Sequence, residues 1–413
     1  MAGFSSIRTV LSRRNTQIFY GCSLGSWTGL WVQKVAVDWL AWELTHSALW
    51  VAVLAFCNLA PSVLISPFAG AVSDRVDRLR LTVITQLITA AHAFTLATLT
   101  LTGTIRYEYI AVLEVLVGCS QAFAQPARQS LVPGMVPRSE LPGAVALNSL
   151  TYNMSRSIGP GIGGVILVAW GIAPCMLVNC AAYLIASVSM PMLQLDPATR
   201  RGHTPTGSVL REALDGIKYV VRHPGMGPLF LYAAVIGVLI RSVVEMLPPF
   251  VAGIYGQGAQ GLAALSSAIG LAALVGGTLI ALRGRLSGLC AITIGSGVVI
   301  AVATAGFVAT NSFAFGMVCA ASLGAATTMH GISAQTLLQS STPGPMLGRV
   351  LSFWGMITRA APAIGALIYG VASEFAGLRL PVLVGSAVAL AACGFAASRH
   401  GRMVQALEQA RAR

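Results

Sequence analysis

Charge is scarce in this chain. Aspartate, glutamate, lysine and arginine make up 9% of 413 residues, where a soluble domain carries about 25%. Acids are the scarcer sign, 13 against 26 basic residues. With a mean hydropathy of +0.76, the chain cannot hide its apolar surface in one water-soluble core, because such cores stop growing near ~250–300 residues. Paired cysteines are missing as well. Cys22, Cys57, Cys119, Cys175, Cys180, Cys290, Cys319 and Cys393 contain no CxxC pair and mostly lie in apolar runs. They read as small packing residues, not as a zinc site or a disulfide framework. There is no HExxH and no paired-cysteine site, and no enzyme is expected. A cleavable leader is not legible either. Arg8, Arg13 and Arg14 precede an apolar run too long for a leader's hydrophobic core, so that run is expected to stay as the first membrane helix.

What the chain has in abundance is apolar segments of about 20 residues, the length that crosses a bilayer. Twelve are expected, near 16–43, 47–70, 81–102, 108–132, 144–169, 172–195, 227–254, 260–282, 289–309, 312–338, 350–374 and 379–398. The fold class is therefore an all-α membrane protein. The connections at 43–47 and 169–172 are very tight. Arg106 and Arg379 fall in the proposed outer loops, Lys34, Arg156, Arg241 and Arg359 fall within spans, and the remaining basic residues are assigned to the inner side. That bias predicts both termini on the cytoplasmic side. The basic residues are spread over separate inner segments and form no continuous face, so no nucleic-acid partner is expected.

Residues 196–226 form the one long connection. Val209, Leu210, Ala213, Leu214, Ile217, Val220 and Val221 recur there at helical spacing, with Arg211, Glu212, Asp215, Lys218 and Arg222 opposite. This predicts an amphipathic helix on the inner membrane surface. It divides an N-terminal six-helix bundle, 1–195, from a C-terminal bundle with a basic tail, 227–413. The halves repeat each other. Lys34-x-x-x-Asp38 answers Arg241-x-x-x-Glu245, and Gly70 and Arg78 answer Gly277 and Arg285 at the same offset.

Between the second and third spans the chain reads Gly70-Ala71-Val72-Ser73-Asp74-Arg75-Val76-Asp77-Arg78-Leu79-Arg80. The pattern Gly-x-x-x-Asp-Arg-x-x-Arg resembles the signature loop of the major facilitator superfamily of secondary transporters. Glu212–Pro224 is similar to the linker of its siderophore-exporting branch. The resemblance implies two pseudo-symmetric six-helix bundles that rock around a central site. It implies a gating loop of Gly70, Asp74, Arg75 and Arg78, in which Asp74 braces the outward-open state against a helix end. The second copy of the loop has decayed, with Ala281 at the place of Asp74 and Leu282 at that of Arg75. In the fifth span, Gly159-Pro160-Gly161-Ile162-Gly163-Gly164 matches GxGxxG by spelling, but no strand precedes it and it lies inside a membrane helix. Gly159, Pro160, Gly163 and Gly164 resemble the fifth-helix motif of the superfamily's exporting antiporters. Arg359, Pro362 and Gly365 echo it in the eleventh span.

Three acids lie within spans, Asp38, Glu114 and Glu245. A charge in hydrocarbon costs several kcal/mol, so such residues mark a pathway or a pair. Two readings stand. Lys34 with Asp38, and Arg241 with Glu245, are four apart and can neutralise each other. Alternatively, one acid gains and loses a proton as access changes. Asp38 is the first choice, with Glu245 or Glu114 sharing the role. Trp27, Trp31, Lys34 and Asp38 share one helix face. With Gln121, Gln125, Tyr152, Arg156, Arg241, His330 and Arg359 they are the candidates for a solute cavity, and aromatic planes beside charge suit an amphipathic solute. Span 4 departs from the superfamily's drug exporters: Leu113-Glu114-Val115-Leu116-Val117-Gly118 carries no arginine. The expectation is a proton-coupled exporter of a siderophore or drug-like compound, with no cofactor. A lysophospholipid or metal-ion transporter and a non-transporting sensor are the alternatives. His92 and His330 are isolated in sequence, which ranks metal last. Its partners are expected to be the solute and the bilayer, with the protein monomeric.

Overall fold

The computed structural model describes residues 9–73, 76–137, 140–195 and 209–408, and every long regular element among them is a helix. In chain order these are α1 (Arg14–Thr45), α2 (Ala48–Ser73), α3 (Arg78–Leu101), α4 (Tyr107–Gln129), α5 (Leu141–Trp170), α6 (Ile172–Ser189) and α7 (Val209–Arg222). Then comes an interrupted helix, α8, made of Met226–Ile236, a π turn Gly237–Arg241, Ser242–Glu245 and Leu247–Gly253. The last five are α9 (Ala259–Arg283), α10 (Leu289–Ala309), α11 (Phe313–Ser341), α12 (Gly344–Ala376) and α13 (Arg379–Ser398). Asp74 and Arg75 of the expected gating loop lie outside the described residues, as does 196–208 of the connection.

Among the described residues ten helices are long and apolar enough to cross a membrane, two fewer than the expected twelve. The two that fall short are α1 and α5. Both are long, 32 and 30 residues, but their composition is diluted. α1 carries Arg14, Lys34, Asp38 and Glu43, and α5 carries a polar run from Asn148 to Ser157. The protein is a multi-pass, all-helical membrane protein.

The chain forms two compact units: Met1–Leu40 with Ala60–Thr206, and Ala41–Leu59 with Gly207–Arg413. In the first, α3 packs along α4 and α6. Asp77 starts α3 by accepting from the N–H groups of Leu79 and Arg80, which would otherwise be orphaned at a helix start. A single residue, Gly171, joins α5 to α6. Its φ of 90° is open to glycine and strained for any side chain. α5 crosses α1 at two further glycines. A Cβ on Gly159 would lie 2.5 Å from Trp31 Cβ, and one on Gly163 would lie 2.9 Å from both Cα and O of Val32. Pro160 sits inside α5 without breaking it.

Near the start of α1, Arg13 grips Glu140 through two parallel bonds, Nε to Oε2 at 2.9 Å and Nη2 to Oε1 at 2.7 Å. Arg13 thereby holds the Glu140 carboxyl below the usual carboxylate range, and Glu140 raises the guanidinium in return. A carboxylate depressed in the folded state keeps its tie above the ordinary value of about 4 and loses it as pH falls further. A spin label at Leu11 is therefore expected to gain mobility only below that range. In Glu140→Gln it should be mobile already at neutral pH. Equal mobility in both proteins at pH 7 would show that the pair does not tether this segment.

In the second unit α11 packs along α9 and α10, and α10 along α13. α7 belongs here. Val220 is buried with Met226, Leu229 and Val350, and Arg349 approaches Asp215 at 3.8 Å. α7 spends part of its apolar face on α12 and α8. The Glu408 carboxylate accepts from the N–H groups of Gly288 and Cys290, both at 2.7 Å, and so caps the start of α10. The crossing of α12 with α8 repeats that of α5 with α1. Gly365 abuts the Val238 carbonyl in the π turn, and a Cβ on Gly237 would lie 2.8 Å from Ala361 Cβ. Each unit thus joins its first and fifth spans by backbone contact, which only glycine permits.

Candidate functional site

Four helices of the first unit, α1, α3, α4 and α6, turn polar residues toward one another. At one level they form a connected set. Asn179 Nδ2 donates to Gln33 Oε1 at 2.8 Å. That fixes the Gln33 amide, so its Nε2 faces His92 Nδ1 at 3.3 Å. The other ring nitrogen, Nε2, lies 3.5 Å from Glu114 Oε1. All four side chains are buried. The expectation that His92 stands isolated is corrected: it is isolated along the chain, but α3 brings it against a carboxylate of α4.

About 9 Å toward the start of α1, six residues at 1.5 Å each, the same helices line a small pocket. Trp27, Gln86, Gln121, Gln125, Arg128 and Tyr183 face it, with threonines of α3 closing the wall. Its volume for a water-sized occupant is about 20 Å³. The Arg128 guanidinium lies 4.1 Å from the centre of the Trp27 ring and 5.4 Å from that of Phe19. Tyr152 meets Trp27 edge-on at 5.2 Å. Arg128 is 7% exposed, and Nε and Nη2 have no hydrogen-bond partner among the described residues. Neither polar atom of the Gln86 amide has one. Counting Arg128 among the inner-side basic residues is thus corrected. Its long side chain turns inward along the bundle and not out to the interface.

The other candidates are placed as follows. Lys34 Nζ and Asp38 Oδ2 pair at 3.0 Å, with side chains 31% and 16% exposed. Trp31 stands beside Gly159 at the α1–α5 crossing. Arg156 lies half-buried one turn beyond Tyr152 on α5. Gly164 is buried in the same helix, and Arg78 begins α3. Gly70 lies in the last turn of α2. In the second unit, Arg241 closes the π turn of α8 and Glu245 follows one turn later. His330 is accounted for by packing: Nδ1 donates to the Thr293 carbonyl at 3.1 Å, and the ring lies edge-on to Tyr232 at 5.4 Å. Arg359 is half-buried on α12. Trp27, Gln121, Gln125 and Tyr152 are therefore brought together. Lys34 and Asp38 meet each other. Gly21-Cys22-Ser23-Leu24-Gly25 spells GxSxG, but Ser23 is buried in mid-helix and donates to the Phe19 carbonyl, so it is no nucleophile elbow.

Three comparisons bear on identity. The chain is 25% identical to the multidrug efflux pump Tap of Mycolicibacterium fortuitum over 377 residues, 89% of this chain and 90% of that one. It is 31% identical to the staphyloferrin A transporter of Staphylococcus aureus over 172 residues, which span only 43% of that relative. It is 29% identical to the enterobactin exporter EntS of Escherichia coli over 245 residues, 58% of this chain and 56% of the relative. Among solved structures, a POT family transporter in complex with 5-aminolevulinic acid superposes with a TM-score of 0.75 at 11% identity, covering 95% of this chain and 97% of that one. The nucleoside transporter NupG gives 0.71 at 11% identity, over 94% and 99%. At such identities these two speak for the fold alone. The family profile described as transmembrane secretion effector matches residues 6–411, and the chain belongs to that family of major facilitator superfamily transporters.

Proposed function

We propose that the protein exports an amphipathic organic solute, of siderophore or drug-like kind, by alternating access coupled to inward proton flow. The observation that carries the coupling is the buried Glu114–His92 pair. The pair sets a buried carboxylate against an imidazole, and each of the two groups can take up a proton. The Lys34–Asp38 pair is already neutral. Protonating Asp38 would take from the Lys34 ammonium the carboxylate that faces it at 3.0 Å, a costly change. Glu114 thus takes first place as proton carrier, ahead of Asp38 and Glu245.

The direction is supported by what the relatives are named for, since Tap is called an efflux pump and EntS an exporter. Twelve crossings fit this reading. α1 and α5 fall short on hydropathy because they carry the polar and charged residues a solute path needs, and neighbouring helices can shield such residues from lipid. Both termini then lie in the cytoplasm and the membrane is the bacterial inner one. Asp74 would brace one end state as its loop resemblance implies. Purified protein in proteoliposomes, with a pH gradient of either sign, tests the proposal. Uptake of a macrolide or a catecholate siderophore should accelerate when the gradient drives protons the opposite way. Flux insensitive to the gradient would remove proton coupling, and absence of flux for every solute would remove transport.

A further inference from the structure

The pocket beside Trp27 holds a buried cation, Arg128, for which no ion pair is found among the described residues. Burying a guanidinium is costly. The stacking of Arg128 on Trp27 offsets part of that cost. The unpartnered atoms, Nε and Nη2, form one edge of the guanidinium. That edge is the fork which takes the two oxygens of a carboxylate side by side. Gln86 adds an unpartnered amide in the same pocket. The space open to a water-sized occupant, about 20 Å³, is too small for a whole drug-sized molecule.

We infer that Arg128 and Gln86 form a subsite for a single carboxylate of the transported solute, with Trp27 holding the guanidinium in place. The inference rests on the transporter reading and narrows it: solutes carrying a carboxylate on an apolar body are preferred over their neutral counterparts. Anionic lipid phosphate shares the chemistry, so the test separates the two sources.

The probes are naphthalene-1-acetate and its amide, matched in shape and differing in charge. Binding is measured by calorimetry on full-length protein in phosphatidylcholine nanodiscs. The wild-type protein is expected to bind the acid at least about tenfold more tightly than the amide, the size of one charge-assisted bond. Arg128→Gln should bring that ratio to about one. Arg128→Lys, which keeps the charge but not the fork, should retain only part of it and guards against a folding artefact. Gln86→Leu should lower the ratio several-fold. An undiminished ratio in Arg128→Gln and Gln86→Leu would overturn the subsite. Loss of acid binding when phosphatidylglycerol replaces part of the lipid would reassign the pocket to a headgroup and overturn the solute assignment. Flux of a macrolide, a catecholate siderophore and naphthalene-1-acetate by wild-type proteoliposomes is measured separately. If all three are absent while the Arg128-dependent preference stands, the transport reading falls and the carboxylate subsite does not.

Discussion

Glu114→Gln is expected to abolish the stimulation of solute flux by a pH gradient while solute-for-solute exchange continues. The substitution keeps the size of the side chain and removes the carboxylate that a proton would neutralise. If Glu114 carries the proton, the drop in gradient-driven flux should be at least about tenfold, because the step needs a group that changes charge and an amide does not. His92→Gln should also impair coupling, less completely, since the carboxylate remains and loses only the partner 3.5 Å away. Asp38→Asn tests the competing assignment. It leaves Lys34 without its 3.0 Å partner, so its main effect is expected on stability, softened by the ammonium's partial exposure. Full gradient dependence in Glu114→Gln, with loss in Asp38→Asn, would reverse the order.

The second large effect is structural. Gly163→Val should lower stability by about 3 kcal/mol or more, because the added carbons meet the backbone of Val32 and not a side chain that can turn away. Gly365→Ala should do the same in the second unit, where the Val238 carbonyl stands in the way. Gly25→Ala on α1 is the control. Nothing lies within 4 Å of its added Cβ, and exchanging glycine for alanine in mid-helix is favourable by about 1 kcal/mol. Thermal midpoints of the three purified variants decide the matter. Equal midpoints for Gly163→Val and Gly25→Ala would show that the helix crossing is slack.

Much of this was legible in the sequence because it follows one chain direction. α10 and α13 begin and end where hydropathy puts them, at 289–309 and 379–398. The one-residue turn at Gly171 lies inside the expected hairpin, and Trp27, Gln121 and Gln125 do face one pocket. What escaped lies between helices. His92 sits in an apolar run with no neighbour of its kind along α3, and only the meeting of α3 with α4 gives it Glu114. Arg128 escaped because an arginine in the last turn of a membrane helix ordinarily anchors at the interface. Its clue was the spacing of Gln121, Gln125 and Arg128, which puts three polar residues on one face of α4.

The π turn of α8 has a mechanical corollary. Its five residues, Gly237–Arg241, carry one residue more than an α-helical path of the same height needs. Each helical residue advances the azimuth by about 100°. Straightening that turn into plain α-helix would therefore swivel Glu245 and everything after it by about a quarter of a revolution and advance it by about 1.5 Å along the axis. The coil stores a pivot whose currency is register.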